Sequence, residues 1–169
     1  MSASPTLILN AKQFQQKIDR IAYQVYENNF DEKEIIIAGI AVKGYILAQK
    51  LSEKLKEITT IKITLAEIIL NKENPIKQEV RLSIKPEVFE GKVVILVDDV
   101  LNSGKTLIYG MAPFLSLPVK RITTVILVDR NHNRYPIKAD FVGLSLATTL
   151  QEHITVELTK KGKEAVYLT

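Results

Sequence analysis

Residues 93–106 read VVILVDDVLNSGKT, and no other stretch limits so sharply what this chain can fold into. An unbroken apolar run leads from Val93 straight into two adjacent acids, Asp98 and Asp99, and Gly104-Lys105-Thr106 begins five positions beyond the second. A continuous branched apolar run that stops at turn chemistry marks a buried parallel strand. The small and polar residues behind it suit a tight loop entering a helix, where main-chain amides attract phosphate. Two ionised carboxylates at the strand tip can only accept hydrogen bonds, and a vicinal diol offers two donors. A diol beside a phosphate is the polar outline of a ribose 5-phosphate.

Ser103-Gly104-Lys105-Thr106 also ends the loop that cradles nucleoside triphosphates. That loop needs a glycine five positions before the glycine of its Gly-Lys pair. Asp99 stands there instead, and its charge repels a triphosphate. The triphosphate reading fails.

The rest of the chain supplies the frame that such a strand needs. Asn10 caps a helix, with Gln13 completing a box-like pair, and Phe14, Ile18, Ile21, Ala22 and Val25 form its apolar face. The pattern then gives a strand over 34–40, a helix over 45–57 and a strand over 61–70. A polar stretch over 71–92 carries Pro75, Pro86 and Gly91. The motif strand at 93–98 feeds a helix that Pro113 and Pro118 confine to 104–116. A strand at 122–128 follows, then short strands near 136–142, 153–158 and 164–168. Alternating strands and helices imply an α/β fold, a parallel sheet flanked by helices, with ligands at the carboxyl ends of the strands. At 169 residues the chain forms one domain. No apolar run approaches the roughly 20 residues of a membrane span. The N-terminus lacks a secretory signal, and zero cysteines exclude disulfides and thiolate metal sites, so a cytoplasmic location is expected. A net charge of +4 allows a phosphorylated substrate without demanding nucleic acid.

The apolar strand, Asp98-Asp99, Val100-Leu101 and Asn102-Ser103-Gly104-Lys105-Thr106 together resemble the ribose-phosphate loop of the type I phosphoribosyltransferases. Residues 125–143, VILVDRNHNRYPIKADFVG, narrow the resemblance to the family of pyrimidine-operon regulators and uracil phosphoribosyltransferases. It extends over roughly residues 14–169. The fold it implies is the type I phosphoribosyltransferase sheet with a small hood subdomain.

The resemblance assigns expected roles to the strand tips. Ala41-Val42-Lys43-Gly44 matches the pyrophosphate loop, with Gly39, Ile40, Lys43 and Gly44 in the family pattern. The stretch 71–92 matches a flexible lid, shorter than in many relatives. Where the family reads Asp-x-x-Leu-Tyr-Arg-Asp, this chain has Glu67-Ile68-Ile69-Leu70-Asn71-Lys72-Glu73. Lysine is a point charge where arginine is a planar fork, so Lys72 is not a neutral exchange. Lys72 is expected on the pyrophosphate when the lid closes, with Lys77 and Arg81 as further charge. Asp129, Arg130, Phe141 and Val142 are expected around the nucleobase, where Phe141 either stacks on the ring or belongs to the core. His132 reads on its own as an exposed loop residue.

The expected chemistry is loss of pyrophosphate from ribose C1 through a transition state with oxocarbenium character. Asp98 and Asp99 hold the diol and favour the cation, while Lys43, Lys72 and loop amides favour the leaving group. Ser103, Thr106 and the amides of residues 103–106 hold the 5-phosphate. Mg²⁺ is the expected cofactor, bound mainly through substrate and water. Asn102 cannot act as acid or base, which counts against a purine. The expected partners are phosphoribosyl pyrophosphate, a pyrimidine base and further copies of the chain. RNA is less favoured, because the five arginines lie no closer than four residues apart and the lysines are scattered outside 160–163.

Overall fold

The computed structural model describes residues 4–169. Its elements run β1 (Thr6–Leu9), α1 (Ala11–Asn29), β2 (Glu34–Ile40), α2 (Lys43–Ile58), β3 (Lys62–Ile69), β4 (Arg81–Leu82), β5 (Val93–Leu101), α3 (Lys105–Met111), β6 (Arg121–Asp129), β7 (Phe141–Ser145), β8 (Ile154–Glu157) and β9 (Ala165–Leu168). Single 3₁₀ turns cover Pro86–Phe89 and Ala112–Ser116. The helix expected over 104–116 is thus α-helical only to Met111. Pro113 has no N–H to continue the α ladder, and the chain tightens into the 3₁₀ turn.

Six strands form the main sheet in the order β4-β3-β2-β5-β6-β7. All neighbours are parallel except the short β4, which runs antiparallel to β3. The helix α1 starts at the expected capping box, in which Gln13 N donates to Asn10 Oδ1 and Asn10 N to Gln13 Oε1, each at 2.9 Å. Side chains alternate across the sheet, as strand geometry requires. Ile35, Ile37, Val93, Ile95 and Val97 pack with α1 and α2, while Ile36, Ala38, Ile40, Val94 and Leu96 pack with Leu107 and Phe114 on the other face. Both faces of β2 and β5 are therefore dry, which is why their sequences are unbroken apolar runs over 35–40 and 93–97. Each such fully buried Ile or Leu contributes roughly 1.5–3 kcal/mol.

The other three strands form a separate antiparallel sheet in the order β1-β9-β8. Leu9, Val156 and Val166 join this sheet to the core of α1 and α2. Four-residue strands carry too little periodicity to announce themselves, and β1 was not foreseen. Two other boundaries differ from expectation. The strand β5 continues past the acids to Leu101, because Val100 and Leu101 still pair with Val128 and Asp129. The strand expected at 136–142 lies at Phe141–Ser145. Residues 133–140 form a loop held by its own contacts, with Asp140 N donating to Thr124 O and Asn133 Nδ2 to Ile137 O.

The polar stretch 71–92 is only partly irregular. Ile69 pairs with Arg81 and Ile68 with Leu82, and Glu67 N donates to Ser83 Oγ while Ser83 N donates to Glu67 O. The free excursion shrinks to residues 70–80. No helix among the described residues is long and apolar enough to cross a membrane.

Candidate active site

Because β5 stays in the ladder through Leu101, its two acids sit inside the sheet rather than beyond it. Asp98 is 2% exposed and Asp99 8%. Asp98 Oδ1 accepts from Asp99 N at 2.9 Å and from Lys72 Nζ at 3.0 Å. The same ammonium lies 3.8 Å from Asp99 Oδ1. Burial pushes the Asp98 carboxyl up to about 7, the neighbouring Asp99 charge adds to the rise, and Lys72 opposes it.

The loop before α2 reaches this strand at Gly44. A Cβ there would lie 2.7 Å from Val97 O and 2.9 Å from Asp98 Oδ1, so only glycine permits the approach. Ala41 N donates to Ile68 O on the neighbouring strand, and the Ala41–Val42 peptide is cis. Val42 is 70% exposed and Lys43 is exposed beside it. Lys43 joins no ion pair among the described residues, which leaves its charge available to an anion at this tip.

Beyond the acids a cavity of about 190 Å³ is lined by Lys72, Asp98 and residues 100–107. Its floor is the loop Asn102-Ser103-Gly104, where Gly104 takes φ +86° and Lys105 N donates to Ser103 Oγ at 3.2 Å. Ser103, Gly104, Lys105 and Thr106 are thus brought together with Asp98, as their spacing implied. Asp99 is absent from the lining, although its Oδ1 stays within reach of the Lys72 ammonium. A larger groove of about 560 Å³ lies elsewhere, walled by Val80, Leu82 and Ile84. It contains Arg81 and none of the acid or phosphate-loop residues. Arg81, fixed on β4, therefore stands outside the acid cavity.

At the tip of β6, Asp129 lies opposite Leu101, and its Oδ1 accepts from Asn131 N at 2.8 Å. Arg130 N donates to Leu101 O at 3.0 Å. The Arg130 side chain is 4% exposed, and its guanidinium donates to Thr148 Oγ1, Thr149 O and Glu152 O. It ties down the segment after β7 instead of facing a ligand. His132 Nε2 is bonded to Thr148 O in the same clamp, a use that sequence alone did not reveal. Phe141 and Val142 begin β7, with Phe141 level with Val125, while the tip of that strand is Ser145, level with Asp129. Phe141 packs against the core of α1 and α2, and Val142 O accepts from Arg20 Nη2. The segment that does overlie the tips, Leu146–Glu152, carries no motif, and only its contacts to Arg130 and His132 reveal it.

A parallel sheet thus carries an acid pair and two loops on adjacent strand tips. Residues 6–159 match the phosphoribosyl transferase domain family. The chain belongs to that family, and within it to the type I enzymes of the PyrR group. A bifunctional protein pyrR of Enterococcus faecalis is 34% identical over 163 residues, 91% of this chain and 90% of its own. The bifunctional protein PyrR of Fusobacterium nucleatum is 34% identical over 177 residues, covering 99% of both chains. Among solved structures, a hypoxanthine-guanine phosphoribosyltransferase of Bacillus anthracis superposes with TM-score 0.76 at 20% identity, over 97% of each chain. The hypoxanthine phosphoribosyltransferase of Trypanosoma cruzi gives 0.75 at 15% identity, over 95% of each. At such identities these two structures speak for the fold alone.

Proposed function

We propose that the chain transfers the phosphoribosyl group of phosphoribosyl pyrophosphate to a pyrimidine base, uracil above others, giving UMP and pyrophosphate. The observation that carries this reading is the continuity of Asp98 with the loop at 102–107 around one cavity, with Lys72 closing its acid end. The bond from ribose C1 to the pyrophosphate oxygen breaks as the bond from C1 to the base nitrogen forms, and the proton that nitrogen loses passes to the departing pyrophosphate or to water. Positive charge grows on the ribose ring, where the carboxylates of Asp98 and Asp99 favour it. Negative charge grows on the pyrophosphate, where Lys43 and the loop amides at 41–44 favour it, preorganised and without reorganisation at the moment of reaction. The loop at 102–106 anchors the 5-phosphate and so fixes C1 between the two partners.

Mg²⁺ belongs to the same proposal. No group of three or more metal-ligating side chains occurs among the described residues. An adjacent acid pair suits a cation held chiefly by substrate oxygens and water, with Asp98 and Asp99 as its protein side. Such a cation supplies charge neutralisation to the pyrophosphate. Uracil is favoured by the resemblance of residues 125–143 and by Asn102, which offers a purine no acid or base.

The relatives are named bifunctional, and the alternative reading is a nucleotide-sensing regulator that binds RNA on the same scaffold. Dispersed arginines support it less, since an RNA face concentrates basic side chains. A third reading keeps ligand binding without turnover, on the ground that Asn71 and Lys72 replace the family's tyrosine and arginine. Incubation with phosphoribosyl pyrophosphate, Mg²⁺ and a panel of bases separates them. UMP formation supports the enzyme; binding of phosphoribosyl pyrophosphate with no product from any base overturns it. We also propose a homo-oligomer, which a sedimentation mass near the chain's own 19.0 kDa across micromolar concentrations would contradict.

A further inference from the structure

The loop at 102–106 must hold its curve before any phosphate arrives, and its own residues do not explain how. The explanation lies in the segment 133–137. Ser103 O accepts from Arg134 N at 2.8 Å and from Tyr135 N at 3.1 Å. At the next residue, a Cβ on Gly104 would lie 2.7 Å from Ile137 Cγ2 and 3.5 Å from Tyr135 Cβ. The Tyr135 ring meets Tyr109 of α3 edge-on, with centroids 6.5 Å apart. The segment is itself rigid: Ile137 N donates to Tyr135 O at 2.8 Å, Asn133 Nδ2 donates to Ile137 O at 2.6 Å, and Ile137 is buried in one core cluster with Leu101 and Leu107.

We propose that Tyr135 and Ile137 are positioning residues for the phosphate loop, an inference that rests on reading 102–106 as the phosphate site. In a planar trans peptide the carbonyl and the following N–H point to opposite sides. Two donors hold the Ser103 carbonyl toward the brace, so the Gly104 N–H points away from it. Residues 133–137 take no part in the cavity wall. Ile137, pressed against the Gly104 α-carbon, keeps that residue at its positive φ and prevents the peptide from rolling back. The brace thereby aims the amides at the ligand while touching none of it.

Titration calorimetry with ribose 5-phosphate, with thermal melts alongside, tests this on wild type, Ile137→Ala and Ile137→Val. A hydrogen bond to a charged phosphate is worth roughly tenfold in affinity, so Ile137→Ala should bind at least about tenfold more weakly. Ile137→Val, which keeps a branched methyl on Gly104, should restore most of the affinity. The KM for phosphoribosyl pyrophosphate should rise in step, with kcat at saturation and the KM for uracil near wild type. An Ile137→Ala protein that melts lower yet binds as wild type makes Ile137 plain core packing and overturns the inference. Should that variant not fold, Tyr135→Leu, which keeps the amide and loses the ring, is read by the same titration, and unchanged affinity overturns the inference. Wild type that does not bind ribose 5-phosphate overturns the phosphate-site reading itself.

Discussion

The Lys72 ammonium sits 3.0 Å from Asp98 Oδ1, at the acid end of the cavity. It is the counter-ion of the buried carboxylates there. Lys72→Met should therefore leave the acids without a counter-ion and lower kcat by roughly tenfold or more, with a smaller loss in binding of phosphoribosyl pyrophosphate. Lys72→Arg restores a forked donor and should match or exceed wild type. Steady-state kinetics beside a direct binding measurement read both; equal losses in kcat and affinity for Lys72→Met would remove the transition-state role.

Asp98 should make stability and activity oppose each other in pH. Its folded value is pushed up to about 7 from an ordinary 3.8, chiefly by burial. Between those values the folded chain binds more protons than the unfolded chain, so this residue's contribution to stability is full below the lower value and lost as pH rises through the upper. Asp98→Asn should raise the Tm at pH 8, with the gain shrinking toward pH 4. Turnover, which needs the carboxylate, should climb through neutrality in wild type. A Tm difference independent of pH would contradict the assignment.

The Asp99 N–H donates to Asp98 Oδ1, and its carboxylate stays within reach of Lys72. Asp99→Asn should keep the fold by circular dichroism while turnover falls by at least about tenfold, as a charge facing the oxocarbenium is lost. An unchanged rate would place the chemistry elsewhere.

Arg130 should matter through architecture. Arg130→Met deletes the charge-assisted bonds to Thr148, Thr149 and Glu152, a loss of about 1.5–3 kcal/mol. Urea unfolding gives the magnitude, and limited proteolysis should cut first within 146–152. Wild-type stability in the variant would mean that those bonds add nothing net.

The sheet and the acid strand were readable in advance because their signals are local. A doubly buried strand shows itself in β2 and β5 as an unbroken apolar run, and the capping box of α1 needs only four neighbouring residues. What escaped reading depends on partners far along the chain. Nothing near Arg130 announces that it spends its charge on carbonyls about 20 residues away. The strand at Phe141–Ser145 lies a few residues later than read, because an apolar composition does not fix which residues pair with the neighbouring strand. Tyr135 and Ile137 carry no chemistry of their own, and only the Ser103 carbonyl and the bare Gly104 α-carbon give them meaning.

The pairing of Ile69 with Arg81 gives residues 70–80 both feet on one spot of the sheet. Between those feet the excursion reaches back to the acid strand through Lys72, whose ammonium meets Asp98 Oδ1. Doubling the length of such an excursion adds only about 0.6 kcal/mol of closure entropy. Outside Lys72 the excursion therefore behaves as an exchangeable cassette, free to be lengthened or retimed by mutation while its feet on the sheet stay fixed. Lys72, mounted three residues from one foot, is the part of the cassette that always lands in the same place.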